Sequence, residues 1–218
     1  LSHVGVHQRL GDAQRPVGSL LKPFIYLLAL AQPGKYSLAT SLDDSPVTVT
    51  QPNGRNWSPD NDDHRSHGNV RLIDALAESY NHVAVRVGMD VQVERIARII
   101  KALAGIDAAP NPSLILGAVD QTPFAMAQLY QFLASGGEVQ PLHAVRGVLD
   151  EHGALVKRYD GTPAAAQSGD ALAARLVTLA MQQVVVSGTA HALQADGLGF
   201  LPAAGKTGTS NDSRDSWF

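Results

Sequence analysis

Apolar residues recur along most of this chain at helical spacing, interrupted by a polar stretch over residues 35–69 and by short extended runs near the C-terminus. Leu20, Leu21, Phe24, Leu27 and Leu28 predict a first helix over residues 19–31, closed by Ala31-Gln32-Pro33-Gly34. Pro23 removes an amide and disfavours an α conformation at Lys22, so the helix is predicted to start distorted. Residues 35–69 read as a long connection with two short extended pieces, one of them Pro46-Val47-Thr48-Val49, and with turns around Asn53-Gly54 and Ser58-Pro59. The helical period returns at Val70 and runs through Leu72, Ile73, Leu76 and Ala77 to Ser79, with Asn69 as its cap. A short helix over residues 83–87, stopped by Gly88, follows Ser79-Tyr80-Asn81 and leaves that triplet on a tight helix-to-helix connection.

Val93, Ile96, Ile99, Ile100 and Leu103 give the next helix, residues 91–103, with Gly105 as its stop. Thr122-Pro123 reads as a cap followed by proline in the first turn, opening a helix that runs to Ser135 before Gly136-Gly137. Residues 145–149 and 155–159 flank Glu151-His152-Gly153 and predict a β-hairpin. An Ala-rich linker over 162–170 precedes a long helix over 171–186, broken by Ser187-Gly188-Thr189 and followed by a short helical turn at 190–193. Residues 203–209 and 215–218 carry the remaining strand signals. This order, helices in the middle and strand at the C-terminal end, predicts an α+β fold with helices packed on an antiparallel sheet.

Composition narrows the function classes. With 218 residues, 44% hydrophobic and 17% charged, the chain has the make-up of an ordinary globular segment. A formal charge of −3 and no Lys/Arg stripe exclude nucleic acid as a partner. The chain has no cysteine, so disulfides, thiol catalysis and thiolate metal sites are all excluded. His64 and His67 form the nearest thing to a ligand pair, but no carboxylate-bearing motif accompanies them and they read as a surface loop. No metal or other cofactor is expected. Trp57 reads either as a loop anchor or as an aromatic beside a substrate.

Three short segments carry chemistry. Ser19-Leu20-Leu21-Lys22 places a hydroxyl and an amine three residues apart, on one face of a helical turn. A partly desolvated lysine can take the proton that makes a serine nucleophilic, and amides at a helix start can stabilise developing negative charge. Alone the spacing is common, and a helix-start serine with a solvated lysine is its ordinary reading. Ser79-Tyr80-Asn81 and Lys206-Thr207-Gly208-Thr209 change that, because the three motifs in this order rarely coincide by chance.

The motifs, with the runs GSLLKPFIYLLAL, NGRNWSPDND, GNVRLIDALAESYNHVAVRVG, LGAVDQTPFAMAQLYQFLASGG, MQQVVVSGTAHAL and AGKTGTSNDSRDSWF, resemble the transpeptidase domain of bifunctional class A penicillin-binding proteins, most nearly the 1b type of Gram-negative bacteria. The likeness covers residues 15–218. It implies Ser19 as nucleophile with Lys22 as its base, Ser79 as a proton relay toward the leaving amine, and Asn81 as an amide facing the substrate and Lys22. Lys206, Thr207 and Thr209 would hold a terminal carboxylate, with Gly208 leaving room for a substrate lying along the strand. The backbone amides of Ser19 and Thr209 would form the oxyanion hole. Arg214 and Asp215 read as structural pairing, and Ser187-Gly188-Thr189 as part of the rim.

The resemblance further implies a five-stranded sheet of which this chain lacks the first two strands and the last. Both ends read as cut, with an N-terminal glycosyltransferase domain and membrane anchor in the parent protein. The expected partners are peptidoglycan stem peptides ending in D-Ala-D-Ala, β-lactams and cell-wall synthesis proteins, at the periplasmic face of the inner membrane. The motifs alone leave open a D,D-carboxypeptidase or serine β-lactamase, although no Glu-x-x-x-Asn segment for fast deacylation lies between Asn81 and Lys206. They also leave open a non-catalytic β-lactam-binding sensor.

Overall fold

The helix Lys22–Leu30 is buried at every position. A helix apolar on all sides must be enclosed by other elements, and the chain is arranged to enclose it. The computed structural model describes residues 11, 13–51, 54–143, 145–159, 170–200, 202–209 and 215–218. In chain order these form β1 (Arg15–Pro16), α1 (Lys22–Leu30), β2 (Ser41–Asp43), β3 (Val49–Thr50), β4 (Asn56–Trp57), β5 (Asn69–Arg71), α2 (Leu72–Ala77), α3 (Asn81–Asp90), α4 (Val93–Ala104), β6 (Asp120–Gln121), α5 (Pro123–Ala134), β7 (Gly147–Leu149), β8 (Leu155–Arg158), α6 (Ala171–Val186), β9 (Gly208–Thr209) and β10 (Ser216–Trp217). Helices α2, α3, α4 and α6 pack around α1. The core they share includes Phe24, Ile25, Leu76, Val85, Ile96, Ile100 and Val177.

The α+β class is as the sequence predicts, but the described strands make five separate two-stranded antiparallel sheets instead of one. Their partners are β1 with β6, β2 with β5, β3 with β4, β7 with β8, and β9 with β10. The hairpin predicted around Glu151-His152-Gly153 is the β7–β8 pair. The run predicted as strand over 203–209 is paired only at Gly208–Thr209, against Ser216–Trp217. Lys206 and Thr207 therefore sit in the extended approach to β9.

The start of α1 is distorted as Pro23 requires. Gly18–Leu21 forms a tighter 3₁₀ turn, and the α-helix proper begins at Lys22. Pro23 falls in the first α turn, where its missing N–H has no intrahelical acceptor to lose. Two other boundaries differ from the sequence reading. Asn69 is no cap: it lies in β5 opposite Asp43, with Val70 opposite Leu42, and α2 begins at Leu72 after an extended Arg71. Pairing across β2 wins there over the helical period. Helix α3 begins at Asn81 and runs to Asp90, through Gly88. A Cβ on Gly88 would lie 2.7 Å from Ile115 Cγ1, so this glycine serves close packing and not helix termination.

Helices α5 and α6 follow the sequence closely. The Thr122 side chain accepts from Ala125 N, capping α5 as predicted, and α6 spans the predicted run after Asp170 accepts from Ala173 N. The turn predicted at 190–193 is a series of hydrogen-bonded turns, His191 N to Gly188 O at 3.0 Å and Leu193 N to Ala190 O at 3.2 Å. Most of the linker read at 162–170, and Arg214, lie outside the described residues; Asp215 pairs with Arg15 at 3.3 Å.

Candidate active site

Segments from early and late in the described chain meet beside Ser19. Trp217 Nε1 donates to Pro16 O at 3.0 Å, just before the 3₁₀ turn that carries the serine. Gly18, at φ +53°, has its Cα so close to β9 that a Cβ would lie 2.5 Å from Thr209 O. On the other side Tyr130 Oη donates to Leu20 O at 2.9 Å. The turn is thus clamped from α5, β9 and β10. Ser19 is the second residue of the turn, a position whose N–H has no acceptor within the helix.

One turn on, Lys22 is fully buried and its ammonium end points away from the core toward the α2–α3 connection. Lys22 Nζ donates to Ser79 O at 2.5 Å, to Asn81 Oδ1 at 2.6 Å and to Ser79 Oγ at 3.1 Å. The sequence spacing alone allows Ser19 Oγ and Lys22 Nζ to meet; in the structure Lys22 is saturated by these partners and has no hydrogen bond to Ser19 Oγ. Such bonds commonly tighten only once substrate is bound. Lys206, 1% exposed, enters from the opposite side, and its Nζ donates to the same Ser79 Oγ at 2.9 Å and to Thr207 O at 2.9 Å.

Ser79 therefore links two buried lysines through one hydroxyl. Its backbone shows how much the fold gives up to hold it there. Helix α2 ends with Ser79 N bonded to Leu76 O at 3.2 Å and Tyr80 N to Ala75 O at 3.0 Å, with Ser79 itself at φ +60°. That is the left-handed helix-ending position that glycine usually occupies. A serine there is strained by about 1–2 kcal/mol, a cost kept at sites where the side chain is needed.

Burial, then the charge of Lys206, holds the Lys22 amine well below its ordinary pKa, while Asp62 and Asp44 oppose the shift. Burial also lowers Lys206, to about 7. Two ammonium groups on one hydroxyl in a buried site repel each other, so near neutral pH a lysine amine with a free lone pair is available as a base. For a neutral Lys22, the acceptor-only atoms Ser79 O and Asn81 Oδ1 take its two N–H groups, and the lone pair is left for a hydroxyl.

The far end of the site holds a hydroxyl the sequence reading left on the rim. Thr189 Oγ1 and Thr207 Oγ1 share a hydrogen bond at 2.7 Å, and Thr189 N donates to Ala77 O at 3.2 Å. Thr189 thus joins the Lys206–Thr207 end of the site. Gly208 is packed so that a Cβ would lie 2.7 Å from Val17 O, which brings β9 against the serine turn. Thr209 is exposed on the same strand.

Behind the Ser79–Asn81 turn lies a second layer that the motifs did not reveal. Asn61 accepts from Asn81 N at 2.7 Å, and Asn81 Nδ2 donates to Asp60 O at 2.7 Å, which turns Oδ1 toward Lys22. Of the two loop histidines, His64 is exposed and its ring bonds Asp60, as a surface loop would have it. His67 is partly buried: it bonds Asp44 and Asp63 and stacks on Tyr80 with ring centroids 4.1 Å apart. Trp57 packs against the core, which makes it an anchor. The run NGRNWSPDND contains Asn61, yet nothing local to it says that it reaches a helix twenty residues away.

Comparison with known proteins places this arrangement. The family described as the penicillin binding protein transpeptidase domain matches residues 6–216. The chain is 42% identical over 213 residues to penicillin-binding protein 1B of Vibrio cholerae, covering 96% of this chain and 27% of that protein. It is 43% identical over 216 residues to penicillin-binding protein 1B of Escherichia coli, covering 97% of this chain and 25% of the relative. The chain thus spans about a quarter of the length of these curated relatives. The crystal structure of penicillin-binding protein 1A from Haemophilus influenzae shares the fold, with a TM-score of 0.84 at 24% identity over 96% of this chain and 36% of that one.

Proposed function

Because the chain belongs to the penicillin-binding protein transpeptidase domain family, we propose that it is the serine D,D-transpeptidase part of a peptidoglycan synthase. The observation that carries this reading is Ser79 Oγ, held between the amine of Lys206 and that of Lys22, the residue one helical turn on from Ser19. A stem peptide ending in D-Ala-D-Ala lies along β9 with its terminal carboxylate at Lys206, Thr207 and Thr209, while the space a Gly208 side chain would need is taken by Val17 and Leu20 of the serine turn and not by substrate. Ser19 Oγ attacks the penultimate D-Ala carbonyl as Lys22 accepts the hydroxyl proton. The N–H groups of Ser19 and Thr209 receive the oxyanion. The C–N bond breaks, and the departing D-Ala amine takes a proton relayed from Lys22 or Lys206 through Ser79. An acceptor amine on a neighbouring stem then attacks the Ser19 ester, forming the cross-link and freeing the serine. Asn81 orients the donor peptide and Lys22 together.

β-Lactams present a strained carbonyl and a carboxylate at the same spacing, and acylate Ser19 by the same attack. Residues 1–218 would be a fragment of that domain within a longer parent, a reading supported by the greater length of the relatives; that parent would also carry a glycosyltransferase domain and a membrane anchor, work at the periplasmic face of the inner membrane, and meet other cell-wall synthesis proteins there. Among the described residues no helix is long and apolar enough to cross a membrane.

The test is product analysis with the full-length gene product and a pentapeptide ending in D-Ala-D-Ala, with and without an acceptor amine. The proposal expects D-Ala release and an amide-linked dimer, both lost in Ser19→Ala. Release of D-Ala with only the hydrolysed tetrapeptide would make the chain a carboxypeptidase, and no release at all would make it a binding module.

A further inference from the structure

We propose that Asp44 is a positioning residue for Ser19 acylation, holding through Asn61 and His67 the turn that presents Ser79 and Asn81 to Lys22. The inference rests on the acyl-transfer reading above and deepens it. Asp44 follows β2 and is completely buried. Its Oδ2 accepts from Asn61 Nδ2 at 2.8 Å, from His67 N at 3.0 Å and from His67 Nδ1 at 2.7 Å. Its backbone carbonyl accepts from His82 Nδ1 at 3.0 Å.

Each of these contacts leads to the catalytic turn. Helix α3 begins at Asn81, and its cap residue Tyr80 offers no side-chain oxygen to the exposed amides of the first turn. Asn61 supplies that oxygen from a distant loop: its Oδ1 accepts from Asn81 N at 2.7 Å and His82 N at 3.3 Å. The other end of the same amide is fixed by Asp44 together with Arg65 O, which accepts from Asn61 Nδ2 at 2.7 Å, and these two acceptors turn Oδ1 toward the helix. His67, fixed by Asp44 on one nitrogen and Asp63 on the other at 3.1 Å, lays its ring nearly parallel to Tyr80, 13° off the plane. Tyr80 is the middle residue of the turn. Burial works against the His67 imidazolium, and the Asp44 hydrogen bond with the Asp63 and Asp44 charges outweighs it, so its pKa is raised. The Asp44 and Asp63 carboxylates thus favour the charged imidazolium against the burial that opposes it.

A buried carboxylate is a poor way to gain stability alone, since an apolar group of the same shape avoids the desolvation cost. Asp44 also acts on the reacting lysine at a distance. The charged groups acting on Lys22 are Lys206 from the β9 approach, which lowers its pKa, and Asp62 and Asp44, which raise it. Losing the Asp44 charge should thus make Lys22 easier to deprotonate while loosening the acceptors that aim it.

The two effects are separable in the rate of acylation by a fluorescent penicillin, followed across pH with the full-length gene product. Asp44→Asn should lower the limiting acylation rate constant by about tenfold or more and move the midpoint of the acidic limb to lower pH. Asn61→Ala, which leaves every charge in place, should lower the rate constant comparably with the midpoint nearer the parent's. The rate constant is read only from molecules that take the label, so a misfolded fraction lowers the amplitude and leaves the rate unchanged. Parent-like rate constants and midpoints in both variants would overturn the inference. A parent protein that takes no label would overturn the acylation reading beneath it.

Discussion

Burial sets the protonation of the two lysines, and so the chemistry open to Ser19. Lys206, with a folded pKa of about 7 against an ordinary value near 10.5, is penalised in the folded state below about pH 7. The folded state binds fewer protons than the unfolded one between these values, so this contribution to stability rises with pH across that window. Lys206→Met should flatten the rise in Tm from neutral to alkaline pH relative to the parent, while weakening capture of the substrate carboxylate; an unchanged Tm profile would contradict the burial assigned to Lys206. Lys22→Ala should leave reversible β-lactam binding nearly intact and slow acylation on the order of 10²-fold or more, measured by stopped-flow labelling. The hydrogen-bonded grouping of Lys22, Ser79, Asn81 and Lys206 was legible in the sequence because each lies in a short motif of fixed spacing. Asp44, Asn61 and Tyr130 were not, and Thr189 was read only as part of the rim, since each reaches its partners through contacts between segments far apart in the chain.

Elements aim those side chains through their ends. The α2–α3 connection holds Ser79 at φ +60°, where its hydroxyl is reachable by both lysines. Ser79→Gly should relieve the strain and raise stability by about 1 kcal/mol in denaturant unfolding, while acylation falls sharply because the relay oxygen is gone. A variant both less stable and still active would refute the strain argument. The serine turn rests on Gly117, at φ +74°, where a Cβ would fall 1.9 Å from Gly18 O. Gly117→Ala should cost about 1–3 kcal/mol and slow acylation as well, because the backbone that must move is the one before Ser19. Helices whose ends carry local signals, such as Thr122-Pro123 and Gly136-Gly137 around α5, were readable from sequence. The starts of α2 and α3 were not: pairing of β5 with β2 consumes Asn69 and Val70, and Asn61 supplies the cap of α3 from outside it.

At the scale of the molecule, α1 is the axis, and β1 and β10 close over its beginning. The Trp217 indole on Pro16 O and the Arg15–Asp215 pair tie β10 to the strand leading into the serine turn. Trp217→Phe keeps most of the packing but drops the hydrogen bond, so it should cost about 1 kcal/mol and reduce acylation more than a surface substitution of equal stability loss. The sequence predicted the α+β class and the helical core. It did not predict five small separate sheets, because pairing depends on which short extended runs the helices bring side by side. Under the proposed function Ser19 is an acylated nucleophile whose ester water frees only slowly. The most direct measurement is mass spectrometry of the full-length gene product over time after brief exposure to a penicillin. A persistent adduct on the Ser19 peptide, lasting minutes or longer and absent in Ser19→Ala, is the predicted result; rapid return to the free mass with hydrolysed drug, or an adduct on another residue, would contradict it.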